Sequence, residues 1–204
     1  MLAYSNSWVV DEHNKPDGTT ADWKNERYHT QRWNENFVVD GKQEIERYLS
    51  LGCTINNASA VVFRRSSIEE AGGVDTSFRY AGDWLLYLKL GLRGLIAYRG
   101  ACLSNYREHS VNASKKSIHD GSQRYERQRC FAYLYYSKKL SPTAIERILA
   151  TASDEFLFLT YDLLRRSWQP KLFTSYMWRL ASDNTRFYLR VQARVANSIV
   201  REQY

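Results

Sequence analysis

Residues 57–109 decide the fold class of this chain, and they read NASAVVFRRSSIEEAGGVDTSFRYAGDWLLYLKLGLRGLIAYRGACLSNYREH. The run over 58–63 is short, apolar and bounded by polar residues, which predicts a buried strand. The apolar residues over 84–92 predict a helix, and aromatic and β-branched residues predict strands over 95–98 and 101–106. Because strand and helix alternate in this stretch, we predict an α/β domain.

The sequence before this stretch belongs to the same domain. Residues 2–10 alternate and are rich in aromatic and β-branched residues, which predicts a strand. Residues 19–36 have no clear period and are interpreted as loop or short helix. The apolar residues over 41–51 have helical spacing, and Gly52 follows them as a stop signal.

The sequence after Ser114 changes character, because strand signals cease there. The polar stretch 114–122 is the best domain boundary. We therefore predict a domain over 1–114 and a basic helical region over 115–204. The predicted amphipathic helices of that region lie near 122–138, 142–166, 170–182 and 184–201.

Composition indicates a globular protein, since 44% of the 204 residues are apolar and the mean hydropathy is -0.55. A run of about 18 uncharged apolar residues would indicate a transmembrane helix, and the sequence has none. The start lacks the basic and apolar regions of a secretion signal, which predicts a cytoplasmic protein if Met1 is a natural start. The three cysteines are widely spaced, which indicates reduced thiols.

The positive charge is concentrated in the C-terminal part. The whole chain carries +7, whereas residues 115–204 hold 16 basic and 8 acidic side chains. Such a segment attracts anionic lipid headgroups, nucleic acid or a diphosphate-linked substrate. The alternative is a solvated helix surface, which is the more common meaning of a charge run.

Four segments of the quoted stretch keep an order and spacing that resemble a known family. They are NASAVVFRR (57–65), EAGGVD (70–75), RYAGDW (79–84) and YREH (106–109). Together they are similar to the second half of family-2 glycosyltransferases, which have the GT-A fold. The resemblance extends over residues 1–114 and implies a partial GT-A-like mixed sheet with helices, the acceptor side of a nucleotide-diphospho-sugar transferase.

Asp83 is the residue to which the resemblance assigns catalysis. Inverting transfer of a sugar needs a carboxylate that takes the proton of the acceptor hydroxyl. Asp83 precedes the predicted helix, where an N-cap carboxylate accepts backbone amides and stays ionised. The family has an acidic pair at this point, and here Gly82 replaces its first member. The alternative from spacing alone is that Asp83 is only a helix cap.

The resemblance also assigns substrate-binding and metal-binding residues. Trp84 would offer an indole face to the acceptor sugar, with a core tryptophan as the equally weighted alternative. Asn57, Ser59 and Arg107 would contact substrate, although a surface arginine is the ordinary interpretation of Arg107. His109 would approach Mn²⁺ or Mg²⁺ bound to the nucleotide diphosphate, while a lone histidine is more often structural.

The predicted function is transfer of a sugar from a nucleotide-sugar donor to a glycan or lipid-linked acceptor, in cell-surface polysaccharide biosynthesis at the inner face of the membrane. The family binds its donor and metal through a DxD motif ahead of the part that resembles this chain. We therefore expect a missing N-terminal half or partner chain, and no transfer by these residues alone. The alternative is a noncatalytic basic module that binds a membrane surface, a partner protein or, less plausibly, nucleic acid.

Overall fold

A computed structural model describes residues 1–108, 120–166 and 168–201 of the chain. It divides the chain into two compact units. The first unit comprises Met1–Thr76 and Gly82–Asn112, and the second comprises Ser77–Ala81 and Ala113–Tyr204. No local sequence pattern predicts that residues 77–81 group with the helical region.

The first unit is an α/β structure built on a mixed sheet. Its strands are β1 (Leu2–Val10), β2 (Pro16–Thr19), β3 (Phe37–Asp40), β4 (Val61–Phe63) and β5 (Leu95–Arg107). The strand order is β2-β1-β5-β3, and β4 also pairs with β1. Only the β1–β5 pair is parallel among the strand pairs of the described residues; β2 and β4 run antiparallel to β1, and β3 runs antiparallel to β5.

The register between β1 and β5 shifts on both sides of Asn6, where β5 contains the extra residues. The Asn6 side chain is buried, and its Oδ1 accepts hydrogen bonds from the Thr20 hydroxyl and the Ala21 amide, each at 2.9 Å. These donors belong to the first turn of helix α1 (Thr20–Arg27). Asn6 follows Leu2 and Tyr4 on the buried face of β1, where its side chain fixes the start of a helix on the sheet.

Three further helices complete the first unit. Helix α2 (Gly41–Glu44) continues as a π-helical turn over Ile45–Leu49, α3 spans Arg65–Glu70, and α4 spans Gly82–Gly91. Short 3-10 turns occupy Arg32–Asn34 and Ala58–Ala60. Helix α4 is the most apolar of these elements, and its side chains from Trp84 to Leu88 are all buried.

Two strand predictions were wrong in detail. The run over 58–63 is not a buried strand, because it begins as a 3-10 turn and then forms the short strand β4, where Val62 is 74% exposed. The separate strands over 95–98 and 101–106 are one continuous strand, β5. Apolar residues predicted burial for β4, but a short edge strand leaves one of its faces to solvent.

The second unit contains α5 (Ser122–Ser137), α6 (Pro142–Tyr161) with a π-helical turn over Asp162–Arg166, α7 (Pro170–Asp183) and α8 (Thr185–Arg201). These ranges confirm the predicted run of amphipathic helices. Ser141 caps α6, its side chain accepting from the Ala144 amide, and proline occupies the first turn as predicted. Part of the core joins α5, α6 and α7 through five buried side chains: Tyr125, Leu159, Leu163, Tyr176 and Leu180.

A search of the described helices finds none with the length and apolar character that crossing a lipid bilayer demands.

The entry into α2 depends on a close approach of backbone to backbone. The Gly41 amide donates to the Gly94 carbonyl at 2.9 Å, and a Cβ at Gly41 would overlap the carbonyl oxygens of Gly91 and Gly94. The overlapping atoms are backbone atoms, which cannot rotate away as a side chain can. A glycine is therefore required where α2 approaches the loop that joins α4 to β5.

We expect the Gly41→Ala substitution to lower the free energy of unfolding by about 2 kcal/mol or more, because the backbone must shift to relieve the overlap. Urea denaturation followed by circular dichroism measures the change. The matched control is Gly94→Ala, whose new methyl group would meet its nearest atom at 3.6 Å, an ordinary contact. Equal stability of the two variants would refute the backbone overlap as the constraint.

Candidate functional site

Asp83 lies in the first turn of α4, one residue inside the helix and not at its N-cap as predicted. The helix begins at Gly82, two residues before the predicted start at Trp84. The Asp83 carboxylate is exposed, whereas the next five side chains are buried. Its Oδ1 accepts a hydrogen bond from the Trp84 amide at 2.7 Å. The positive end of the helix dipole favours the ionised carboxylate, so the chemistry expected of a base survives this change of position.

Trp84 does not offer a platform to a sugar, which corrects the substrate-binding prediction for this residue. Its side chain is only 2% exposed, and its indole N–H donates to the Leu49 carbonyl at 2.9 Å. Its ring packs in the core, and its single donor is already used. The alternative interpretation as a core tryptophan therefore describes Trp84.

The loop of residues 77–81 precedes α4 in the chain and is held by a buried carboxylate of the second unit. Glu126 on α5 is 5% exposed and accepts the amides of Arg79, Tyr80 and Ala81 at 2.8, 2.7 and 2.8 Å. Arg129, one turn further along α5, donates to the Ser77 hydroxyl at 2.8 Å. Three charge-assisted hydrogen bonds to consecutive amides fix the backbone of this loop.

Asn57 forms a hydrogen-bonded node between β1 and β5. Its Nδ2 donates to the hydroxyls of Ser7 at 3.2 Å and Ser104 at 3.1 Å, and these two hydroxyls lie 2.8 Å apart. Its Oδ1 accepts the Ser59 amide at 3.1 Å and so caps the 3-10 turn. Both ends of the amide are engaged within the fold, which gives Asn57 a positioning role.

Ser59 is exposed and lines a cavity of about 250 Å³ next to β1 and β5. The same cavity is lined by Tyr4, Arg99 and Leu103. A hydroxyl and a guanidinium beside apolar walls are suited to polar ligands. Ser59 is therefore placed where a substrate contact is chemically reasonable.

Arg107 forms hydrogen bonds that hold the turn that follows β1. Its guanidinium donates to the carbonyls of Asp11 and Glu12 at 3.2 and 3.3 Å and to the Asn14 Oδ1 at 2.7 Å. The predicted substrate contact would have to compete with these bonds. His109, the predicted metal ligand, lies outside the described residues.

No group of three or more His, Cys, Asp or Glu side chains arranged to hold a metal ion occurs within the described ranges. The described donor set therefore does not fit a Mn²⁺ or Mg²⁺ site by itself. The metal remains a prediction of the family resemblance.

A cavity of about 480 Å³ opens between β1, β2, α1 and the end of β5. Its lining includes Asp17, Glu26 and Glu108 as carboxylates and Trp23 and Tyr106 as aromatic walls. The Trp23 indole is 43% exposed. Burial, and secondarily the charge of Glu108, raises the pKa of the Tyr106 phenol, which therefore keeps its proton. An exposed indole beside carboxylates suits a neutral sugar, whose C–H face stacks on the ring and whose hydroxyls donate to carboxylate oxygens.

Lys24 is a buried cation that the sequence did not indicate. It lies on α1 at 1% exposure, and its Nζ is 5.3, 5.7 and 5.1 Å from the ring centroids of Tyr4, Trp33 and Tyr98. Burial lowers the pKa of the amine from its ordinary value near 10.5 to about 7. Cation–π attraction to three rings partly offsets the cost of desolvation. A lysine in a polar segment without period gives no sign of such burial.

The comparisons with known proteins add no relative, because no family model, curated protein or solved structure matches the chain. The predicted site residues thus fall into three places. Asp83 lies at the start of α4, Asn57 and Ser59 lie beside β1 and β5, and Arg107 lies at the end of β5.

Replacing Lys24 with methionine should raise the free energy of unfolding at pH 6 to 7 by about 2 kcal/mol, because it removes a buried charge at similar volume. The folded state releases the Lys24 proton near pH 7, and the unfolded state holds it until about 10.5. Between these values the unfolded state binds more protons, so the contribution of Lys24 to stability rises with pH. Denaturation at several pH values should show a smaller rise for the variant.

Lys42→Met, on the exposed surface of α2, serves as the control for Lys24→Met, since it removes a solvated amine and should leave the pH dependence unchanged. A loss of stability at pH 6 in Lys24→Met would contradict the buried-charge interpretation.

The Glu126→Gln substitution should loosen the loop of residues 77–81, because an amide nitrogen would then face backbone N–H donors. We expect a loss of about 2–4 kcal/mol and amide hydrogen exchange at Arg79, Tyr80 and Ala81 that is faster by roughly tenfold or more. Glu146→Gln is the control, since its ion pair with Arg194 is about half exposed on both sides and contributes little. Unchanged exchange at the three amides would show that Glu126 does not hold them.

Proposed function

We propose that this chain is the acceptor-side portion of an inverting glycosyltransferase with a GT-A-like fold, similar to family 2. It would transfer a sugar from a nucleotide-sugar donor to a glycan or lipid-linked acceptor in cell-surface polysaccharide biosynthesis. The observation that carries the proposal is the exposed carboxylate of Asp83 in the first turn of the buried helix α4, within the segment RYAGDW. The mixed α/β sheet is the coarser feature that agrees with it.

The chemistry assigned to Asp83 is general-base catalysis. Its carboxylate takes the proton of the acceptor hydroxyl as that oxygen forms a bond to the anomeric carbon of the donor sugar. The bond from the anomeric carbon to the diphosphate oxygen breaks at the same time, and the diphosphate leaves with the electron pair. Attack from the face opposite the leaving group inverts the anomeric centre. A single carboxylate is sufficient, so the replacement of the acidic neighbour by Gly82 is compatible with this role.

The acidic and aromatic cavity supports the choice of acceptor. With Trp84 buried, Trp23 is an exposed indole that a pyranose ring can stack on in the first unit. Its carboxylate neighbours Asp17, Glu26 and Glu108 would repel a diphosphate and accept hydrogen bonds from hydroxyl groups. We therefore assign a glycan, and not the nucleotide diphosphate, to this cavity.

The decisive test of the proposal is Asp83→Asn in the intact gene. We expect synthesis of the cell-surface polymer to fall by about two to four orders of magnitude, because the variant cannot accept the proton, while the protein remains at its normal level. Incorporation of labelled sugar into the polymer is measured alongside the amount of protein.

Asp154→Asn is the matched control for Asp83→Asn, because Asp154 is an exposed carboxylate on α6 of the second unit. It should leave incorporation unchanged. Normal polymer synthesis in the Asp83→Asn strain would overturn the assignment of the base.

A noncatalytic module is the second candidate, and the excess of basic side chains in residues 115–204 favours it. It predicts that function survives Asp83→Asn and depends steeply on salt. The same incorporation assay therefore separates the two candidates.

A further inference from the structure

The second unit exposes two tryptophans to solvent. Trp168 is 76% exposed and Trp178 is 71% exposed. Trp168 stands two residues before α7, and Trp178 lies within that helix. Tryptophan is usually buried to a large extent, so two indoles left in solvent along one helix indicate a surface that meets another phase or molecule.

The exposure of Trp178 follows from the way α7 packs. The inner face of the helix buries Tyr176 and Leu180, and the Tyr176 ring stacks on Tyr125 of α5 with centroids 4.6 Å apart. The opposite face holds exposed residues at helical spacing, namely Lys171, Ser175, Trp178 and Ser182. Because the packed inner face sets the rotation of the helix about its axis, the Trp178 indole cannot turn inward unless the core is disrupted.

Several acidic groups of the same unit are shielded, whereas Glu146, Asp154 and Asp183 are exposed. The Glu126 carboxylate accepts hydrogen bonds from backbone amides, and Glu155 and Asp162 both pair with Arg124 at 2.8 and 3.0 Å. Glu155 and Asp162 are largely shielded, with side chains 15% and 8% exposed. The exposed basic side chains around and after α7 are Arg165, Lys171, Arg179, Arg186 and Arg190. Among the described residues from 120 to 197, nine exposed side chains are basic and three are acidic, so the exposed charge of this region is positive.

We propose that the outer face of α7 around Lys171 and Trp178, together with the adjacent exposed side chains of Trp168 and Arg179, rests on an anionic lipid surface. Indole rings partition to the boundary between headgroups and acyl chains, and each basic side chain nearby adds attraction to anionic headgroups. Exposed indoles flanked by basic side chains are typical of residues at a membrane interface, which favours a lipid surface over single-stranded nucleic acid. The inference is independent of the proposed catalytic role of Asp83.

Co-sedimentation of the full chain with vesicles tests the proposal. Vesicles of phosphatidylcholine alone and of phosphatidylcholine mixed with phosphatidylglycerol are compared at low and high salt. We expect binding to the anionic vesicles at low salt, weak binding to the neutral ones, and release as salt rises. Quenching of the wild-type tryptophan fluorescence by brominated phosphatidylcholine in the anionic vesicles should accompany binding.

Two double variants locate the contact. Trp168→Ser with Trp178→Ser should lower the partition coefficient by about tenfold or more, since both indoles lose their apolar contact. Lys171→Gln with Arg179→Gln should lower it by roughly tenfold or more at low salt. The matched control is Trp8→Ser, which removes an exposed indole from the first unit and should leave binding unchanged.

Three results would overturn the proposal. They are equal binding to neutral and anionic vesicles, binding that survives loss of both tryptophans, and no quenching of the wild-type protein. Tighter binding of a single-stranded oligonucleotide than of anionic vesicles, lost in the tryptophan variant, would assign the face to nucleic acid instead. None of these outcomes depends on Asp83, so failure here would leave the proposed glycosyl transfer to be judged by its own test.

Discussion

The parallel pairing of β1 with β5 is the constraint on which the rest of the first unit depends. It joins Leu2 to Ile96 and Val10 to Arg107, so the chain between the two strands must cross over the sheet and return. Helices α1 to α4 belong to that crossover. The same pairing brings Ser7 beside Ser104, where Asn57 bonds both hydroxyls. The node beside the sheet exists only because strands far apart in sequence align.

Buried charges in this protein differ in their effect: some hold the backbone in place through hydrogen bonds, and others destabilise the folded state because they are desolvated. Glu126 is compensated by three amides and so fixes a loop. Glu44 is 2% exposed and pairs with Arg32 at 2.7 Å, although burial still raises the pKa of its carboxyl. Lys24 has three aromatic rings near its amine, and burial lowers its pKa towards neutrality although the charge of Glu44 acts to raise it. The difference lies in compensation, since hydrogen bonds to a buried charge offset more of its desolvation than ring quadrupoles do.

The candidate site shows which kinds of residue a sequence can assign. Asp83 was found because its segment has a recognisable order, and the structure leaves its carboxylate in solvent. Trp84 adjoins it in sequence but is buried together with the four residues that follow, whereas Asp83 lies in the first turn of the helix and is exposed. The alternative interpretation predicts Arg107 as a surface residue. Its hydrogen bonds to the turn after β1 form because β1 and β5 pair in the sheet. The aromatic and acidic cavity combines residues from 9 to 108, so no local pattern could reveal it.

Local patterns in the sequence predict the α/β class of the first part and the helices of the second, and they single out Asp83 as the carboxylate that we propose as a base. These features are local, because periodicity and turn residues act within a few positions. The tertiary structure alone decided that β5 is one strand, that β4 is exposed, that Lys24 is enclosed by three rings and that Trp178 faces outward. Each of these outcomes depends on which surfaces meet, and burial is a property of the packed chain and not of any single segment.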